Sequence, residues 1–400
     1  MNLFNPDRLI TFPADDPQLV KQLQSGTKVY LAKSGDHRYA DGWAFVKMAV
    51  LIIACFSCYL LALFQRQWGL YLLWYLAMMF CAMLLAVNVV HDASHDAFLR
   101  GKKTNARLNR WVAFPMGLDP DCWRVRHVRF HHGFTNIEFY DPDTAENGIL
   151  RQTPWQRWRP FMRQQPRYWP LVAALTFPWY IWVVDWLDRA GFTPVTRHLA
   201  LRGFAGWGYF LAGKLAHCAL CLIIPWLLSD FSFMTILLTY LLSQLLASLI
   251  FVTLIIGTHW AQGHTQLPPE EGKMPVGRLV HTFATTFDWT PQPAWLGYWL
   301  GGINLHLTHH LFPHWHHRHY SALSRIIAQI ASQQGLDYQL LTLADLLRLQ
   351  QQIFTANGGE AEGLIMESSD GGGGRIRTFE VDDGRFTVCS LWSAREPHQG

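Results

Sequence analysis

The sequence predicts an all-α integral membrane protein with four transmembrane helices in two hairpins and a cytoplasmic helical cap. Three observations predict it. Half of the 400 residues are hydrophobic and only 16% are charged, against roughly 25% charged in an ordinary soluble domain. Four apolar runs are long enough to cross a hydrocarbon core, which needs about 20 residues, and the 19 Trp and 25 Phe suit membrane interfaces. Basic and histidine-rich segments fall between the runs rather than within them. The net charge of +4 is modest, so nucleic acid is not an expected partner.

Residues 1–42 are mixed and polar and form an N-terminal segment, with Pro13-Ala14-Asp15-Asp16-Pro17 as a helix-start region. No basic stretch followed by an apolar stretch opens the chain, so no cleaved signal is expected. The runs 43–64 and 69–90 are separated only by Gln65-Arg66-Gln67-Trp68 and predict a helical hairpin. Lys47, near the start of the first run, is expected to snorkel to the interface. From His91 to Arg167 the chain is rich in Arg and Lys, whereas the preceding loop carries only Arg66. By the positive-inside rule this segment is cytoplasmic, and the N-terminus with it.

Residues 168–187 are apolar and aromatic but contain Pro170, Pro178 and Asp185. A full crossing there would put the flanking segments on opposite sides of the membrane, so an interfacial helix is expected. The runs 207–228 and 232–256, joined by Ser229-Asp230-Phe231, form the second hairpin, and a helix is expected over Ser321–Gln334. The membrane domain thus extends over 43–359. The tail 360–400 contains Ser368-Ser369-Asp370 followed by four glycines and is expected to be disordered.

Histidine spacing carries the functional reading. In Gly301-Gly302-Ile303-Asn304-Leu305-His306-Leu307-Thr308-His309-His310, a helix would project three imidazoles from one face. His91 and His95 repeat the i, i+4 relation directly after the second run, and His127, His131 and His132 repeat it again. The topology puts all three clusters on one side of the membrane. Eight imidazoles exceed what one ion needs, so two metal ions are implied, and imidazole suits Zn, Cu, Fe or Ni. His259, at the end of the fourth run, is a ninth candidate, with His264 as its rival. His314, His316, His317 and His319 are expected to form a solvated basic face beyond Pro313, while His37, His198, His217, His281 and His398 receive no role. Asp92, Asp96, Asn136, Asp141, Asp288 and Asn304 are candidates to accept a ring N–H and fix a ligand's tautomer. The seven cysteines, including the CxxC pairs Cys55/Cys58 and Cys218/Cys221, lie mostly in apolar surroundings and read as small buried residues.

These residues resemble the three histidine boxes of membrane fatty acid desaturases. The match is carried by HDASH from His91, HVRFHH from His127 with Thr135-Asn136 and Asp141 behind it, and GGINLHLTHHLFP with Tyr320 beyond. The resemblance implies a cytoplasmic cap holding a non-haem di-iron site, with His91, His95, His127, His131, His132, His306, His309 and His310 as ligands and His259 as a further one. It also implies that O2 is a co-substrate and that a cis double bond is introduced into a fatty acyl chain carried on CoA, acyl-carrier protein or a glycerolipid. The linoleoyl-type branch usually begins its third box with Gln, where this chain has His306. Many of its members carry a fused cytochrome b5 with a His-Pro-Gly-Gly motif, which is absent here, so a separate ferredoxin or cytochrome b5-type donor is expected. The expected location is a bacterial inner membrane with both termini cytoplasmic. Two other functions are open to the sequence. One is a hydroxylase or carotenoid ketolase on the same scaffold. The other is a metal transporter, which would need its ligands inside the spans.

Overall fold

Among the described residues, four helices are long and apolar enough to cross a membrane: Gly42–Leu63, Trp68–Ser94, Gly203–Leu228 and Phe233–Trp260. The computed structural model describes residues 10–260, 268–269 and 271–359, with the backbone of 380–382 and 385–387. His264, Cys389, His398 and most of the 360–400 tail lie outside the described residues. Within that tail, Glu380–Asp382 pairs antiparallel with Arg385–Thr387.

The second and fourth spans do not stop where their apolar runs stop. The second is 27 residues and the fourth 28, about 40 Å at 1.5 Å per residue, which exceeds a hydrocarbon core of about 30 Å. Near its end each has a π-helical turn, Ala86–Val90 and Val252–Ile256, followed by one helical turn that carries His91 or His259. Such turns insert an extra residue per bond and re-aim the side chains that follow. The first two spans share a core built from Leu51, Leu84, Leu85, Val87 and Val90, into which Val112 and Ala113 also pack.

Residues 168–187, expected as one interfacial helix, fall within a broken pair, Pro160–Ala174 and Thr176–Ala190, bent by 56°. Leu175 donates to Val172 at the break, and Ser248 of the fourth span takes up two of the freed backbone groups, donating to Ala173 and accepting from Phe177. Asp185 of this pair forms a buried ion pair with Lys214 of the third span at 2.9 Å.

The N-terminal segment docks on the polar half. Pro17–Ser34 starts behind Asp16, whose carboxylate accepts from Gln18 and Leu19, and it ends at Gly35 in the left-handed conformation. Asp36 then receives a two-pronged bond from Arg318 at 2.6 and 2.7 Å. The helix expected over 321–334 runs Tyr320–Gln334. A final helix, Leu343–Ala356, opens with a Thr342/Asp345 capping box. Just before it, Leu340–Thr342 pairs parallel with Asp288–Thr290.

Two expectations are overturned. Lys47 does not snorkel: it is 4% exposed, and its ammonium donates to Tyr298 O and to His317 Nε2, both at 2.8 Å. His316, His317 and His319 are buried rather than solvated. Beyond Pro313 the chain folds back against the first span and the N-terminal segment, where His316 donates its backbone N–H to Arg38 O. The buried carboxylate of Asp92 supplies the acceptor that His317 needs, at 2.8 Å from its Nδ1.

Candidate metal centre

Each histidine cluster is delivered by a different element. His91 and His95 come from the end of the second span and the turn after it. His127, His131 and His132 come from Pro120–Arg124 and the π-helical Val125–His131 that continues it. That helix begins cleanly because Asp119 caps Asp121 and Cys122 with Pro120 at its first position. In the π turn the N–H of His132 bonds to His127 O, five residues back, at 3.0 Å. An α-helix would rotate residue i+5 well away from residue i; here the His127 and His132 ring centroids lie 4.7 Å apart.

The third cluster lies on His306–Leu311, and its approach depends on Gly301 and Gly302, both at positive φ. A Cβ on Gly301 would lie 2.6 Å from Val87 O, and one on Gly302 would lie 2.8 Å from the Tyr320 ring. The glycine pair therefore lets this loop pass close to the second span next to His91. Asp288 anchors the short helix, accepting from Thr308 N at 3.1 Å, Thr308 Oγ1 at 2.6 Å and Tyr338 Oη at 3.0 Å.

The clusters interleave into two groups of four. Ring nitrogens of His91, His95, His127 and His309 lie within 4.8 Å of one another, and those of His131, His259, His306 and His310 do the same. His132 joins the groups: its Nε2 is 2.9 Å from His309 Nε2, and its ring stacks on His310 at 4.0 Å. His259 Nε2 faces His306 Nε2 at 2.8 Å. All nine histidines singled out in the sequence thus meet in one place.

Five of the rings have an acceptor on Nδ1, the pattern that leaves Nε2 free to ligate. Asp92 faces His91 at 3.3 Å, Asp141 faces His131 at 3.1 Å, Thr285 O faces His259 at 3.1 Å, Tyr320 Oη faces His309 at 2.8 Å, and Thr135 Oγ1 faces His310 at 3.4 Å. Of the six expected tautomer-fixing residues, Asp92 and Asp141 act on a ring. The other four do not. Asp96 pairs with Arg124, Asn136 donates to His259 O, Asn304 donates to Trp289 O, and Asp288 binds Thr308 and Tyr338. Sequence reasoning assigned no orienting role to Tyr320, Thr285, Thr135 or the π turn; Thr135 and Tyr320 carried a signal only as neighbours of the second and third boxes.

Charge favours ligation. Burial, reinforced by neighbouring imidazoles, holds His95, His127, His132, His306, His309 and His310 well below the ordinary imidazole range, so they are neutral donors at pH 7. His131 is the exception. Burial opposes its charge, but Asp141 and Asp143 outweigh burial and push it up to about 9. The carboxylates that favour a proton on His131 equally favour a cation at its Nε2.

Both ring nitrogens of His95, Nε2 of His127 and Nδ1 of His306 are buried without a hydrogen-bond partner among the described residues. Leaving a buried polar atom unpaired costs about 1–3 kcal/mol, and such unpartnered ring nitrogens in both groups of four fit a metal site. An apolar cavity of about 470 Å³ meets this point: it is lined by His91, His127, His131, His259 and His306 at one end and by Tyr59, Met78, Cys221 and Gln244 further along the spans.

The fatty acid desaturase family model matches residues 66–342. The chain belongs to the fatty acid desaturase family. The desaturase is 26% identical over 330 residues to sn-1 linoleoyl-lipid 6-desaturase of Synechocystis sp., covering 80% of this chain and 89% of that one. It is 26% identical to acyl-lipid (8-3)-desaturase of Physcomitrium patens over 73% of this chain and 62% of that one, so it spans less than two thirds of the moss enzyme. It is 27% identical to acyl-lipid (7-3)-desaturase of Diacronema lutheri over 77% and 68% of the two chains. The desaturase is accordingly an oxidoreductase of lipid metabolism, and the transporter reading is set aside.

Proposed function

We propose that this enzyme introduces a cis double bond into a fatty acyl chain, using O2 at a non-haem di-iron centre held by His91, His95, His127, His131, His132, His259, His306, His309 and His310. The observation that carries the reading is the meeting of two four-histidine groups with the end of an apolar cavity. Bound there, two irons supply the oxidation: O2 is reduced to two waters with two electrons and two protons from adjacent methylenes, and two electrons from a donor with two protons from solvent. An unactivated alkyl C–H offers nothing to acid–base catalysis, so the protein's task is to hold the metals and position the chain.

The residues divide that task. Asp92, Asp141, Thr285 O, Tyr320 and Thr135 orient rings; the cavity walls exclude water and hold the chain extended along the spans. His306 joins the second group at the position where the linoleoyl-type branch usually places Gln, and we assign it as a ligand. The four spans form two membrane hairpins, the broken pair 160–190 lies at the interface, and cap and termini are cytoplasmic in a bacterial inner membrane. Electrons come from a ferredoxin or cytochrome b5-type donor.

Expression in a desaturase-deficient host with fatty acid profiling tests the reading. A new alkene in the wild type that is missing in His309→Ala is expected. Hydroxylated or ketolated lipid with no new alkene would overturn it.

A further inference from the structure

The cavity does not open only toward the cap. Four lining residues are themselves well exposed: Ile52 at 40%, Phe56 at 59%, Trp111 at 80%, and Pro115. Their chain neighbours pack together: Leu51 and Cys55 of the first span lie in one cluster with Val112, Ala113 and Met116. The cavity therefore has a side mouth between the first span and the helix Lys102–Ala113. Ile52 and Phe56 lie within a membrane span, so this mouth faces acyl chains rather than water.

The helix that borders it is strongly two-sided. Asn105, Asn109, Val112 and Ala113 are buried. Lys103, Arg107 and Trp111 recur every four residues on the opposite, exposed face. The helix contains no acidic residue, and Lys102, Lys103 and Arg107 make no ion pair among the described residues, whereas Arg110 is committed to Asp121. Cations above a tryptophan on one exposed face match an anionic headgroup above its acyl chains.

We propose that Lys103 and Arg107 bind the anionic headgroup of a bilayer glycerolipid whose acyl chain enters the cavity sideways past Ile52, Phe56 and Trp111. This rests on the acyl-substrate reading above and names its carrier. An acyl-CoA brings phosphates too, but it would approach from water, away from a mouth walled by span residues.

Native mass spectrometry of the full-length, iron-loaded protein in detergent tests this with phosphatidylglycerol, phosphatidylcholine and oleoyl-CoA as separate probes. The double variant Lys103→Gln/Arg107→Gln replaces exposed, unpaired side chains and leaves the buried face intact. Phosphatidylglycerol binding should weaken by about tenfold or more, with phosphatidylcholine unchanged. Equal affinity in wild type and variant, or a loss confined to oleoyl-CoA, overturns the proposal. A benzophenone amino acid in place of Phe56 should cross-link to the lipid's acyl chain; no cross-link overturns the side mouth. These are binding readouts, so they stand or fall separately from whether a new alkene is made.

Discussion

Asp141 accepts the Nδ1–H of His131 at 3.1 Å, and the same carboxylate takes the backbone N–H groups of Asn136 and Asp143 at 2.8 and 2.9 Å. One buried acid thus shapes the loop behind the second box and aims its ring. Asp141→Asn keeps the shape but removes the charge, and such partners typically contribute 10–100-fold in metal affinity. The variant should bind iron about tenfold or more weakly at unchanged fold, read by competitive chelation and size exclusion. Wild-type affinity would refute the orienting role.

Tyr320→Phe tests the equivalent contact on His309. Losing a neutral partner costs less than losing a charged one, so iron occupancy should fall less than in Asp141→Asn. His309→Ala should abolish desaturation.

Asp288→Ala would strand Thr308 N, Thr308 Oγ1 and Tyr338 Oη in a buried site. About 2–4 kcal/mol of stability is expected to be lost. Thermal unfolding in detergent reads this directly, and a variant within about 0.5 kcal/mol of wild type would mean that the third box is anchored elsewhere.

The cavity extends along the second span away from His91, and Ala82 lines it nine residues earlier, about 14 Å along the helix. Ala82→Trp should block the far part and shift the products toward shorter acyl chains, with the double bond unmoved relative to the carboxyl end. Gas chromatography of host lipids would show either that shift or an unchanged length profile, which would place the chain elsewhere.

Stability should depend on pH with a definite sign. Burial lowers His95, His127, His132, His306, His309 and His310 below the value of about 6.5 that they regain on unfolding. Their contribution is complete above pH 6.5 and is lost as pH falls below it, because the unfolded chain then binds more protons. The Tm of metal-free protein should therefore peak near pH 6.5, falling below it through these six rings and above it as His131, held up to about 9 by Asp141 and Asp143, loses its proton. Iron-loaded protein should release its metal over the acidic range, and re-adding ferrous iron at pH 7.5 should restore it.

The sequence by itself determined four apolar spans and eight of the nine ligand candidates, because 20-residue apolar stretches must be helical in lipid and i, i+4 spacing puts rings on one face; His259 followed only from its place at the end of the fourth run. The sequence also offered Asp92 and Asp141 among six possible ring partners, but Asp96, Asn136 and Asn304 lie as near to a box histidine and bond elsewhere, so nearness in the chain did not decide which acid orients a ring. Tertiary structure decided what depends on segments distant in the chain. Lys47 is buried because His317 and Tyr298 O, 270 and 251 residues away, satisfy it; His316, His317 and His319 are buried because the chain beyond Pro313 folds back toward Asp92 and Arg38. The division of eight of the nine imidazoles into two groups of four was likewise tertiary. Box order would pair His306 with His309, yet His309 sits with His91 while His306 sits with His259. Helical turns and long-range packing rotate neighbours in sequence into different groups, a rotation that spacing alone does not encode.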